Sequence, residues 1–476
     1  MLLSAILAPL LVVPVLAIIK SWKEEALVVA LSLLASTLLL ITSYRRPSLE
    51  IYPIELALGL LVLEGNGFNV ICSLLASLLC FATALHSLSY MDRFFRKNRP
   101  EVFYTLYSAA SSTLIAIPLS GTLTTFFLFF ESYLIATWLL MVIFGGPKAG
   151  EVATKYVVFT ETGALATMLG IAILYDKYRV LDFNHLKLFL ERESPANLVT
   201  VFSLLVAGPL MKMAVVPLHV WLPDAYTEVP VPVSALVNIA EGVSGWAIAR
   251  TIILTGAGVL DVGNAGTAVA LLSIVTIVYG GLAALAQKDL RNLLAYSTIS
   301  HSGYLLLGIL SGGETTIASV TLFLSSFSIA KIVLLMVSGL LESTVEHDSV
   351  EGLGGLASFM PVTSISTFIA FLCLSGIPPT MGFWLEFTVL TGIASLKVKE
   401  GILGLAAVAA LSTLTVLTAA YCLWWFKRAF FGTPKKTVKE EIGISTLVPF
   451  ILALLIIVLG VFPTLILEPV AQLGRG

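Results

Sequence analysis

The sequence predicts an all-α polytopic membrane protein of about fourteen transmembrane helices, arranged as two inverted five-helix repeats, and three observations predict it. The 476 residues are 58% hydrophobic and 12% charged, with a mean hydropathy of +0.99, whereas an ordinary soluble domain is about 25% charged. Apolar windows of about 20 residues, the length that crosses a bilayer, recur from one end of the chain to the other. Two of these windows are interrupted by proline and glycine five spans apart. A net charge of −2 without a basic tract excludes a nucleic-acid partner. Cys72, Cys80, Cys373 and Cys422 lie in apolar runs without CxxC spacing, so no disulfide framework or metal site is expected. The chain is read as holding no cofactor of its own.

Residues 1–20 read as a first span rather than a signal peptide, since no basic segment precedes them and a second apolar run follows. The predicted spans are 3–19, 25–43, 68–91, 102–120, 122–145, 154–176, 198–222, 231–250, 263–286, 293–310, 316–341, 359–393, 402–426 and 446–468. Between the second and third, IYPIELALGLLVLEGNGF alternates in polarity and carries a Gly-Asn-Gly turn, which predicts a short hairpin outside the bilayer. The stretch from Asp176 to Glu193 is amphipathic and charged and predicts an interfacial helix.

The seventh span reads GPLMKMAVVPLHVWLPDA with Pro217 in mid-run, and the twelfth reads LCLSGIPPTMGFWLEFTVL with Pro378 and Pro379. Proline removes a backbone donor and breaks the helical ladder. An opened backbone at membrane depth survives only against protein or a wet cavity, and a matched pair of broken helices is the mark of an inverted-repeat transporter. The expected organisation is therefore residues 1–101 as helices one to three with the hairpin, and 102–255 as a first repeat of helices four to eight. Residues 256–430 form a second repeat of helices nine to thirteen, and 431–476 hold helix fourteen. With the amino terminus outside, fifteen Lys and Arg fall in odd-to-even loops and eight in the others. The positive-inside bias places both termini outside a multi-pass protein of the cell membrane.

Six charged residues interrupt the apolar runs: Glu131, Glu161, Lys212, Glu241, Lys331 and Glu386. Each costs about 2.5–3.5 kcal/mol at the bilayer centre on the insertion scale, so they are expected to pair or to line water. His219 lies near the first break and His301 among the hydroxyls of span ten, and both are relay candidates because histidine titrates near neutrality. His86 reads as structural, and His185 and His347 as solvated loop residues; none shows metal-ligand spacing.

Three stretches carry a family resemblance: KMAVVPLHVWLPDAYTEVPVPVSALV (212–237), LAALAQKDLRNLLAYSTISHSGY (282–304) and SGIPPTMGFWLEF (375–387). Together with FFLFFES around Glu131 they resemble the signatures of the large Mrp-type antiporter subunits. That family includes the antiporter-like subunits of complex I and of membrane-bound hydrogenase-type respiratory complexes, and the likeness spans roughly residues 68–430. The resemblance implies fourteen helices and helix breaks at Pro217, Pro378 and Pro379. It implies that Glu131 pairs with Lys212, that Lys331 is the second-half lysine, and that Glu386 is the terminal group of helix twelve. It implies a non-redox subunit that moves H+ and/or Na+ among other membrane subunits of a multisubunit complex in the lipid bilayer. The alternatives are a non-conducting structural subunit that links neighbours, or a self-sufficient antiporter. Departures from the pattern stand at Asn238, where a histidine is usual, and at Phe327, where another is. Glu241 lies in an eighth helix without lysine, and Glu161 replaces a small apolar residue. The chain ends soon after span fourteen without a long lateral helix, which points to a middle or proximal place in an array.

Overall fold

The computed structural model describes residues 1–44, 48–56, 59–91, 99–256, 259–260, 265–345, 349–395, 402–434 and 438–473. Several residues that entered the charge and histidine readings lie outside this range: Arg45, Arg46, Arg93, Arg96, Lys97, His347, Lys397, Lys399, Lys435, Lys436 and Arg475. Twelve helices among the described residues are long and apolar enough to cross a bilayer, and shorter apolar helices complete the set.

The first spans are α1 (Leu2–Leu16) and α2 (Trp22–Ser43), followed by the strands β1 (Ser48–Leu56) and β2 (Gly59–Gly65). Next come α3 (Gly67–Tyr90), α4 (Pro100–Leu119), α5 (Leu123–Phe144) and α6 (Ala149–Tyr178). Span α7 is two pieces, Pro195–Lys212 and Leu222–Glu228, and leads into α8 (Val231–Thr255). The second half contains α9 (Ala265–Leu285), α10 (Leu290–Leu310) and α11 (Gly313–Thr344). Span α12 is again two pieces, Pro361–Leu374 and Met381–Ser395, and α13 (Ile402–Phe430) and α14 (Ile444–Val461) close the bundle.

The predicted hairpin is present, β1 pairing antiparallel with β2 from Ser48↔Gly65 to Leu56↔Gly59. The Gly-Asn-Gly stretch is not its turn, however. Asn66 is the N-cap of α3 and its side chain accepts from the Asn69 N–H at 2.9 Å, satisfying a helix-end donor that has no partner within the helix. The hairpin is tied to the chain start through Glu50. Its carboxylate accepts from the amino terminus at 2.7 Å, from the Tyr52 hydroxyl at 2.5 Å and from the Leu2 and Leu3 N–H groups. Burial alone would raise this carboxyl, but those four donors outweigh it and hold it down at about 2.

The helix predicted over Asp176–Glu193 is shorter, Phe183–Leu190, with Asp182 capping its start, because α6 itself runs on to Tyr178. His185, expected in a loop, lies on that helix, its Nδ1 2.7 Å from Asp182. Phe183, Leu186 and Leu190 are buried against the bundle, and Leu188 and Phe189 are exposed.

Helices α8 and α11 are buried along their entire membrane windows, against 33% for α9 and 39% for α6. The outer helices turn Leu165, Leu169, Val416 and Ile451 outward, as a lipid-facing surface requires. Gly242 lets α8 approach α11, since a Cβ there would stand 2.4 Å from the Leu324 side chain. The two wholly buried helices are also the ones that carry Glu241 and Lys331.

Candidate ion-translocation seam

The first piece of α7 stops at Lys212, and the chain from Met213 to Trp221 leaves the helix before a new turn begins at Leu222. Side chains meet the backbone groups that this break frees. Ser302 of α10 donates to the Met213 carbonyl at 2.5 Å, Trp221 Nε1 donates to the Met211 carbonyl at 3.2 Å, and the Val216 N–H reaches Thr276 of α9 at 3.1 Å. The opened backbone is therefore held by protein.

Lys212 is 2% exposed and sits in an aromatic cage. Its Nζ lies 5.1 Å from the Tyr133 ring, 4.6 Å from Tyr156 and 4.9 Å from Trp221, and it donates to the Tyr156 hydroxyl at 3.1 Å. Ring faces are negative, so three of them stabilise an ammonium without a counter-ion. This corrects the expected Glu131–Lys212 pair, because no carboxylate among the described residues lies within ion-pair distance of Lys212. Glu131 on α5 and Glu161 on α6 instead approach each other at the side of the bundle, both half-buried, and Glu131 Oε2 has no hydrogen-bond partner among the described residues.

The buried ion pair belongs to Glu241 and Lys331. Lys331 Nζ stands 3.1 Å from Glu241 Oε2, with side chains 0% and 2% exposed. The other carboxylate oxygen is 2.7 Å from Ser302 Oγ, the hydroxyl that also touches the Met213 carbonyl beside Lys212. One polar line thus runs from the break in α7 through Ser302 and Glu241 to Lys331. A π-helical turn, Leu324–Ser328, precedes Lys331 on α11, a feature that recurs at functional places in helices. Phe327 within that turn packs its ring 4.3 Å from His301.

Beyond Lys331 a second polar group lies between α10, α12 and α13, with no hydrogen bond to Lys331 among the described residues. His301 Nδ1 is 3.2 Å from Ser297 Oγ, which accepts from the Tyr421 hydroxyl at 3.0 Å. His301 Nε2 is buried with no partner among the described residues. Glu386, 7% exposed, accepts from Thr415 at 2.9 Å. Its carboxylate lies against the break of α12, where Gly376 has φ +62° and a Cβ would stand 2.2 Å from Glu386 Cδ. His219 lies in the α7 break, edge-on to Tyr279 at 4.6 Å, away from the Glu241 line. Pro217, Pro378 and Pro379 are on the outer side of their breaks.

Among the sequence candidates, the structure joins Glu241 and Lys331 directly, brings the chain beside Lys212 to Glu241 through Ser302, and sets His301 and Glu386 in a neighbouring polar group. Glu131 and Glu161 form a separate lateral pair. The cage residues Tyr133, Tyr156 and Trp221, and the links Tyr421 and Thr415, carried no signal, since an aromatic or hydroxyl residue in an apolar run reads as packing.

The sequence and fold of this chain match known proteins. Residues 120–418 match the family described as NADH:quinone oxidoreductase/Mrp antiporter, TM. The F(420)H(2) dehydrogenase subunit M of Methanosarcina mazei is 29% identical over 387 residues, 78% of this chain and 75% of that protein. The NADH-quinone oxidoreductase subunit M of Rickettsia typhi is 30% identical over 353 residues, 73% of this chain and 69% of that protein. A chain of respiratory complex I from Thermus thermophilus with bound NADH superposes with a TM-score of 0.88 at 23% identity, covering 100% of this chain and 98% of that one. With a family match that spans more than half its length and the broken helices in place, this chain belongs to the NADH:quinone oxidoreductase/Mrp antiporter family of multi-pass membrane subunits.

Proposed function

We propose that this chain is the ion-translocating subunit of a multisubunit respiratory or Mrp-type membrane complex, moving H+ and/or Na+ along the seam through Lys212, Glu241, Lys331 and Glu386. Glu131 and Glu161 form its lateral acidic end, and His301 is the relay toward Glu386. The Ser302 contacts carry this reading. A serine hydroxyl has one proton, yet its oxygen lies 2.5 Å from the Met213 carbonyl, 3.0 Å from the Thr298 carbonyl and 2.7 Å from Glu241 Oε1. The hydroxyl proton can serve a carbonyl while the Glu241 contact is also an unshared hydrogen bond only when Glu241 is protonated and donates to Ser302. With Glu241 ionised, Ser302 turns its proton to the carboxylate and Lys331 balances the charge. The geometry therefore accepts a proton at Glu241 in one state and an ion pair in the other.

The energy scale suits coupling. Removing one partner of a buried pair costs about 3–5 kcal/mol, whereas one charge crossing 100 mV needs about 2.3 kcal/mol. Opening and remaking the Glu241–Lys331 pair is thus large enough to drive a charge across. An ammonium already occupies the space beside Glu241 where a metal ion would sit, which favours H+ over Na+ at that position.

The proposed orientation has both termini outside, supported by the fifteen against eight loop cations. The test is coupled H+ and Na+ flux of the assembled complex in vesicles. Lys331→Ala and Glu241→Gln are expected to abolish flux while assembly persists. Full flux in both variants would sink the reading and leave a structural linking role.

A further inference from the structure

A second group of buried polar residues lies away from the seam, between α3 and α4. His86 is 1% exposed, and neither of its ring nitrogens has a hydrogen-bond partner among the described residues. It lines a cavity of about 350 Å³ at the carboxyl end of α3, bounded by the carboxyl end of α11, Met360 at the start of α12 and the start of α14. Tyr90, stacked on the imidazole at 6.1 Å between centroids, lines it too, as do the charged Lys439, Glu440 and Glu441. A neutral imidazole presents one donor and one acceptor. Leaving both unmet in a dry site is unfavourable, so buried groups of this kind are met by ordered water. The cavity next to the ring is large enough to supply it.

Further unmet groups lead inward from there. Ser108 and Ser111 of α4 are 0% exposed; the Ser108 hydroxyl has no partner among the described residues, and the Ser111 hydroxyl stands beside the Cys80 thiol and the Tyr107 hydroxyl. Positions 104, 107, 108 and 111 share one helix face. That face meets α3, since Tyr104 bonds Ser87 at 3.0 Å and Tyr107 bonds the Cys80 carbonyl at 2.9 Å. Cys80 lies about 9 Å along α3 from His86 at 1.5 Å per residue. It is beside Ser111, and Leu114, one turn further along α4, lines the same small void as Lys212 and Tyr133, whose ring forms one wall of the Lys212 cage.

We propose that His86 is a proton-uptake residue: it takes protons from water in the cavity at the end of α3 and passes them along a water file between α3 and α4, past Ser108 and Ser111, to Tyr133 and Lys212. The free ring nitrogen accepts a proton from cavity water, and the other nitrogen releases its proton to interior water. A ring flip then restores the starting tautomer, so that one H+ moves inward with no change in covalent bonding. In the orientation proposed above, the carboxyl end of α3 faces the inside, which places this port on the side from which outward pumping draws its protons. The inference rests on the translocation reading, and the route it describes joins the seam at Lys212.

The experiment compares His86→Ala, Lys212→Ala and the unchanged chain in the assembled complex, by coupled proton flux in vesicles with and without millimolar imidazole. His86→Ala is expected to lower flux by about tenfold or more, and imidazole entering the vacated cavity is expected to restore it. Unchanged flux in His86→Ala, or a loss that imidazole does not repair in an assembled complex, overturns the proposal. Unchanged flux in Lys212→Ala would instead remove the translocation reading itself. A readout independent of transport is Ser111→Cys labelled with a small cationic thiol reagent: modification supports the water file, and an unreactive thiol overturns it.

Discussion

At the scale of single residues, the seam depends on charges that are compensated in two different ways. Glu241 and Lys331 compensate each other, so Lys331→Met alone is expected to destabilise the protein by about 3–5 kcal/mol, because it strands a buried carboxylate. Adding Glu241→Leu should recover most of that loss, since apolar packing of similar volume replaces a buried pair at little cost. Thermal unfolding of the purified complex for both single variants and the double variant measures the coupling; additive losses would show that the pair is not held as a unit. Lys212 is stabilised by rings and one hydroxyl. Tyr156→Phe keeps the ring and removes the acceptor, with an expected cost of about 1–3 kcal/mol by the same melting measurement. Ser302→Ala removes the proton shared between the Met213 carbonyl and Glu241, so flux should fall while Ser302→Thr preserves it.

At the scale of elements, the two broken helices serve different ends. The break of α7 exposes carbonyls that α10 and the chain's own Trp221 satisfy, tying the first half of the bundle to the second. The break of α12 makes room for a carboxylate. Gly376→Ala would place a methyl group 2.2 Å from Glu386 Cδ at a backbone φ of +62°, which L side chains adopt only with strain. The expected outcome is displacement of Glu386 from Thr415 and loss of coupled flux in a complex that still assembles, read by flux together with melting. The hairpin gives a pH prediction. Glu50 is lowered from 4.5 to about 2, so its clamp on the amino terminus is fully present above about pH 4.5 and is lost as pH falls through about 2. Hydrogen exchange at the Leu2 and Leu3 amides should rise across that window, and Glu50→Gln should remove the pH dependence.

At the scale of the whole molecule, α8 and α11 run through the centre, and the polar line crosses between the halves where they meet. Cysteine labelling of the α13–α14 connection from either face of intact vesicles is expected to show it inside; labelling only from outside would reverse the orientation and move the His86 cavity to the opposite face. The span count, the two breaks and the identities of the six charges within apolar runs were legible in the sequence, because bilayer thickness dictates apolar length and any ionised residue or proline stands out against such a run. Partnership was not legible. Glu131 stood where the family resemblance sets the lysine's carboxylate, yet it faces Glu161, while Glu241, read as a departure, holds Lys331 across 90 residues of chain. The Gly-Asn-Gly stretch misled for a related reason, since turn-forming residues also cap helices and only the strand register decides between the two. Hydropathy is a local property that one residue carries alone, whereas the compensation of a buried charge depends on which helices pack together and how each is rotated. Only the tertiary structure sets those rotations, and with them the aromatic cage, the shared serine proton and the unmet imidazole.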